Sequence, residues 1–282
     1  MNAPPPLSPT PFSPTSSGGW ARRGLIGLAV LLALLVLVAP MGVIFVQAFA
    51  KGGAAWWAAI TERETLHAIW LSLMTVALVV PLNMVYGLAA AWALSRFRFG
   101  GRKLLATLIE LPFSVSPIVA GVAYLMVYGA TGLLGGVLER LDLKVMFALP
   151  GIVLATAFVT SPLIAREVLT LMQTRGAEEE EAALVLGAGG LRTFLSVTLP
   201  NVKWALFYGI VLCAARALGE FGAVSVVSGQ IRGETNTLPL QIDLLYHDYD
   251  GSAAFAAASV LTVLALITVL LKLLIEGRES RT

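Results

Sequence analysis

The chain has 282 residues, of which 57% are hydrophobic and only 13% charged, with a formal net charge of +2. Soluble domains carry about 25% charged residues, so this composition indicates a bilayer protein. The small net charge argues against a nucleic-acid partner, and six Trp and twelve Phe suit lipid-facing and interfacial positions better than base stacking. The single cysteine, Cys213, excludes an intrachain disulfide, and two histidines without a Cys/His cluster give no reason to expect a metal site.

Residues 1–19 are rich in Pro, Ser and Thr and carry no charged side chain. They predict a disordered cytoplasmic tail, because they offer too little apolar surface to offset ordering entropy. Arg22 and Arg23 then precede an apolar run over 24–49. A signal peptide would use this run as its core, with Ala48-Phe49-Ala50 as the cleavage site. Such cores span only about 7–15 residues, however, whereas this run is long enough to cross ~30 Å of hydrocarbon, so a retained span is expected. With its outer loop it makes a first unit over 20–65.

Five further runs follow near 66–94, 104–129, 147–173, 204–228 and 253–275, each at or above the roughly 20 residues that a membrane helix needs. Pro81, Pro112, Pro117, Pro150 and Pro162 lie within or at the start of these runs. They predict kinked or tightly packed helices, since freed carbonyls need partners inside a membrane. The fold class expected is all-α: a polytopic bundle of six membrane helices with its core at 66–272 and a cytoplasmic tail at 273–282.

Charge sets the expected orientation. If the amino terminus is cytoplasmic, Arg22, Arg23, Arg96, Arg98, Arg102, Lys103, Arg175, Arg192, Lys203, Arg278 and Arg281 lie inside. Lys51, Arg63, Arg140, Lys144 and Arg232 then lie outside. The inside excess places both termini in the cytoplasm.

Residues 174–203 form the longest inside loop. Four glutamates, Glu178 to Glu181, followed by Ala182, Ala183 and Leu184, suit a short helix with acids in its first turn. Gly187, Gly189 and Gly190 break it. A second short helix over 191–197 is expected to end before Leu199-Pro200, with Pro200 opening the next long helix. By itself this reads as a helix–turn–helix on the cytoplasmic face, or more plainly as a solvated connector.

Its spacing is more specific. Glu181-Ala182-Ala183 is followed after three residues by Gly187, after nine more by Val197, and then by Leu199-Pro200. This resembles the loop signature of ABC importer permeases, departing only in Val197, where the family has Ile. The resemblance implies the type I importer permease fold. It also implies that Glu181, Ala182, Ala183, Gly187, Leu199 and Pro200 belong to a coupling loop docked on a dimer of cytoplasmic ABC ATPases. The chain has no Gly-x-x-x-x-Gly-Lys-Ser/Thr loop, so no cofactor is expected on it; ATP and Mg would be bound by the partner ATPase.

Two stretches narrow the likeness. Residues 215–229, with Arg216-Ala217-Leu218-Gly219-Glu220-Phe221-Gly222-Ala223, look like the sulfate/molybdate group. Residues 231–235, 238–242 and 112–117 are more narrowly similar to W-type subunits of sulfate/thiosulfate importers, and the likeness runs from about residue 20 to the end. It implies a bacterial inner-membrane location, a second permease of the T type, an external sulfate-binding protein, and sulfate or thiosulfate as cargo.

The residues themselves leave the anion path open. Arg216 and Glu220, four apart on an expected membrane helix, share a face. They form either a structural ion pair or a cation that passes a dianion with its charge tempered. Ser114, Ser116, Thr160 and Ser161 offer neutral donors, or bond carbonyls one turn back. A molybdate or tungstate importer would use the same donors. A secondary anion transporter driven by an ion gradient is the competitor from another class; it would not need the 174–203 loop. No nucleophile–base pair points to an enzyme.

Overall fold

The structure, a computed structural model, describes residues 19–279. The expected disordered tail therefore lies outside the described residues except for Gly19, as do residues 280–282.

The described residues are mostly helical, with no strand among them. The first span, Arg22–Ala48, comprises α1 (Gly19–Ala33), a π turn at Leu34–Val38 and α2 (Ala39–Ala48). After the short α3 (Gly53–Thr61) comes α4 (Arg63–Arg96). Its 34 residues reach about 50 Å, more than a bilayer core requires, so it tilts or projects. Next are α5 (Arg102–Ser114), α6 (Pro117–Tyr128), α7 (Gly135–Arg140) and the long α8 (Leu149–Arg175). The expected cytoplasmic loop holds α9 (Glu178–Val185) and α10 (Gly190–Thr193). A π turn over Phe194–Thr198 then leads into α11 (Leu199–Leu218). The chain finishes with α12 (Gly222–Val227), α13 (Leu238–His247) and α14 (Gly251–Glu279).

Two expected spans are not single rods. The run at 104–129 is α5 and α6, bent by 112° between Ser114 and Pro117. Proline disfavours helical geometry in the residue before it, so Ser116 adopts φ −59° and ψ 132° and the chain turns there. The run at 204–228 stops at Leu218 and restarts at Gly222, leaving Glu220 in the gap rather than on a helix face shared with Arg216. The second short loop helix is corrected as well: it does not end before Leu199-Pro200 but continues through the π turn, making one helical run Gly190–Leu218. Both π turns end two residues before a proline, Pro40 and Pro200. The wider turn accommodates a ring that would otherwise collide with the carbonyl four residues back.

The core is the seam between α4, α8 and α11, filled by Val79, Ile164, Val168, Met172, Val202 and Cys213. Small residues let the backbones close up, as lipid offers no hydrophobic drive between helices. A Cβ on Gly87 would stand 2.8 Å from the Ala165 nitrogen, and one on Gly209 would stand 3.0 Å from the Ile164 Cα. Within the seam, Asn83 donates to the Thr160 hydroxyl at 2.7 Å and to the Ala157 carbonyl at 3.2 Å. α14 packs against α2, α11 and α13, whereas residues 22–43 of the first span are exposed throughout.

Candidate functional site: a coupling face and a paired helix break

At the end of α8 the chain leaves through Gly176, at φ +74°, and enters α9. All four residues of the first turn of α9 are glutamates, the end where a helix favours negative charge. They divide by direction. Glu180 is buried, bonded to Arg96 at the end of α4, and its Oε1 accepts the Thr198 hydroxyl at 2.8 Å. Glu179 accepts from Asn201. Glu181 and Ala182 face solvent and Ala183 is half-buried.

Gly187 reverses the chain at φ +88°, a conformation that side chains resist, with Gly187 N–H donating to the Leu184 carbonyl and Ala188 N–H to that of Ala183. Beyond it Leu199 is half-buried and Pro200 exposed. Around this turn Leu184, Val185, Leu186, Leu191 and Leu195 are exposed, Val185 and Leu186 at 87%. Leu184, Val185 and Leu186 lie outside the long spans, and an exposed apolar cluster at such a place has the character of an interaction surface.

The second assembly sits where the two broken spans meet, α6 against α12. Contact is close: a Cβ on Gly121 would lie 2.8 Å from the Ala223 carbonyl oxygen, and one on Gly222 would lie 3.0 Å from Cβ of Pro117. Glu220, in the break, is 1% exposed at its side chain; its Oε1 accepts from Ala223 N–H at 3.0 Å and its Oε2 lies 2.6 Å from Arg216 Nη1. Arg216 is 42% exposed and borders a cavity of about 430 Å³ with Pro112, Phe113, Val115, Pro117 and Leu212.

The candidate neutral donors separate. Ser114 and Ser116 are exposed at the bend, and Ser116 occupies the N-cap position of α6 without a side-chain cap bond. Thr160 is fully buried in the α4–α8–α11 seam, donating to the Thr156 carbonyl at 2.7 Å, and Ser161 donates to Phe158 at 2.9 Å. Thr160 is therefore enclosed away from the Arg216 cavity in this conformation. Among the described residues no three His, Cys, Asp or Glu side chains converge as a metal site would need.

Sequence reasoning missed Glu180 and Arg96. The signal was the run of four glutamates itself, one of which had to face inward on so short a helix, and an arginine closing a long apolar span.

The family model described as "Binding-protein-dependent transport system inner membrane component" matches residues 83–281. The chain belongs to this family. As a permease component it carries solute passage, with ATP hydrolysis in a separate subunit, and the gradient-driven alternative falls. It is 51% identical over 259 residues to the Escherichia coli K12 protein named "Sulfate transport system permease protein CysW", covering 92% of this chain and 89% of that one. It is 35% identical over 242 residues to the Salmonella typhimurium "Sulfate transport system permease protein CysT", covering 86% of this chain and 87% of that one. A bacterial alginate ABC transporter, crystallised with an alginate-bound periplasmic protein, matches with a TM-score of 0.77 at 18% identity. That match covers 93% of this chain and 96% of the transporter chain, and it establishes the fold.

Proposed function

We propose that this chain is the W-type membrane subunit of an ATP-driven sulfate and thiosulfate importer in a bacterial inner membrane. The observation that carries the substrate reading is the extended similarity to sulfate permeases, which covers both the loop and the Arg216–Glu220 break. Its membrane partner is a T-type permease, since a relative of that kind shares the fold's sequence over most of its length. One chain offers one coupling loop, and an ATPase dimer presents two docking clefts. A sulfate-binding protein outside delivers the anion, and ATP with Mg is bound by the ATPase alone.

Orientation follows from the cationic residues: those at 96–103, 175, 192 and 203 put the α9 face in the cytoplasm with both termini. The exposed Ala182–Gly187 turn and its leucines then meet the ATPase through small side chains and close backbone approach. Glu181 supplies an outward carboxylate for a donor on that subunit. Across the membrane, Arg216 is the cation on the passage and Glu220 the buried group that orients it. Ser114 and Ser116 at the bend supply neutral donors.

The test is reconstitution of the four-component complex in proteoliposomes with labelled sulfate. Uptake should require ATP, persist when proton and sodium gradients are collapsed, and be competed by thiosulfate more strongly than by molybdate. Uptake without ATP that an ionophore abolishes would overturn the importer reading, and stronger competition by molybdate would overturn the sulfate reading.

A further inference from the structure

A docked loop moves a membrane span only if loop and span move as one body. The structure holds one polar node that joins them. The Arg96 guanidinium, at the end of α4, bonds both oxygens of Glu180 on α9. It also donates to the Met172 carbonyl in the last turn of α8 at 3.2 Å and to the carbonyl of Gly176, just beyond that helix, at 2.5 Å. Glu180 in turn accepts from Thr198, the last residue of the π turn that opens α11. The end of α4 thus shares one network with the end of α8, with α9 and with the turn that opens α11, around a cavity of about 260 Å³. An apolar contact doubles it, with Trp92 of α4 and Phe194 of the π turn at 4.8 Å between ring centroids.

Both charged side chains are mostly sequestered, Arg96 at 15% and Glu180 at 12% exposure. A sequestered ion pair adds little net stability over apolar packing, but removing either partner strands the other, so its best use is to fix geometry. The bidentate guanidinium also restricts rotation of α9 about its axis, which a single bond would not. Glu181, the neighbour that faces outward, is left free for the ATPase.

We propose that Arg96 and Glu180 are a coupling strut. They are positioning residues that make α9 move as one body with α4, α8 and α11, and this rests on the importer reading above. Weakening the strut uncouples transport from hydrolysis: the ATPase still docks and turns over, but less of its motion reaches the spans.

The experiment uses the complete complex in proteoliposomes and measures ATPase co-purification, ATP hydrolysis and sulfate uptake together. The parent complex is run first; if it shows no ATP-driven sulfate uptake, the importer reading fails and the strut is not at issue. Glu180→Gln keeps the shape and the bond from Thr198 but removes the charge. It should co-purify with the ATPase as the parent does and lower sulfate moved per ATP hydrolysed by about tenfold, the loss of one charge-assisted bond. Arg96→Lys, which cannot fork between Glu180 and the Met172 and Gly176 carbonyls, should lower the same ratio, and Thr198→Val should lower it less. If Glu180→Gln fails to assemble, Thr198→Val carries the reading, since it leaves the ion pair in place. An unchanged uptake-to-hydrolysis ratio in the assembled variants, or hydrolysis and uptake falling in proportion, overturns the strut.

Discussion

Among the described residues, two ion pairs join an arginine to a buried glutamate, and they are built oppositely. Arg96–Glu180 joins residues 84 apart in sequence and hides both partners. Arg216–Glu220 joins residues four apart and hides only the carboxylate, leaving the guanidinium 42% exposed beside a cavity. A pair hidden on both sides ties segments together; a pair hidden on one side presents a charge. On the roles proposed above, the same two residue types serve fixation at the coupling face and display at the helix break, and burial is what distinguishes the two pairs.

Removing each arginine is the strongest way to break this comparison. Arg216→Ala leaves Glu220 with one remaining donor, the Ala223 N–H, at 1% exposure. It should destabilise the membrane subunit by about 3–5 kcal/mol, the cost of an unpaired buried charge. Arg96→Ala should cost less, because Glu180 is 12% exposed and keeps the Thr198 hydroxyl. Thermal unfolding of the purified permease pair measures both. The reverse deletion sharpens the point: Glu220→Gln still offers an oxygen to Ala223 N–H and leaves Arg216 able to hydrate, so it should cost far less than Arg216→Ala. A larger loss for Glu220→Gln would mean that Arg216 is the buried partner in the assembled complex.

Much of this architecture is legible in the sequence. The spans at 66–94, 147–173 and 253–275 show themselves as long apolar runs and appear as α4, α8 and α14. The loop helix was visible from four acids before an Ala-Leu stretch, and its turn from Gly187. The kink in 104–129 was signalled by Pro112 and Pro117, though not its 112° size. The break between Leu218 and Gly222 has no proline beside it and was not signalled, because hydropathy counts apolar residues and is blind to direction. Choosing among Glu178, Glu179, Glu180 and Glu181 was also out of reach. The inward one is selected by Arg96, which folding alone brings alongside. Thr160 looked like its neighbour Ser161, and only the closeness of α4 at Gly87 and α11 at Gly209 shows that it lies inside the seam.

A smaller effect is expected one residue along the same turn. Glu181 faces out where Glu180 faces in, so Glu181→Ala should leave the permease fold untouched and weaken ATPase association by about 1.5–3 kcal/mol, roughly ten- to a hundredfold. Titrating purified ATPase onto the membrane pair reads this directly. Anion preference should not change, because Glu181 is exposed on α9 and is not among the residues that line the Arg216 cavity. Unaltered association would assign docking to Leu184, Val185 and Leu186 instead.

The smallest effect isolates the backbone from the side chains. Gly187 sits at φ +88°, and a Cβ placed there meets nothing within 4 Å, so Gly187→Ala adds no collision inside this chain. Its cost is the left-handed conformation alone, about 1–2 kcal/mol. Asparagine tolerates that conformation better than alanine, so Gly187→Asn should recover part of the loss if the turn geometry is what matters. If close approach of the ATPase matters instead, Gly187→Asn should bind worse than Gly187→Ala, since it is the bulkier. Ranking the two by ATPase association, with permease stability measured beside it, decides between a glycine kept for its torsion and one kept for the partner's proximity.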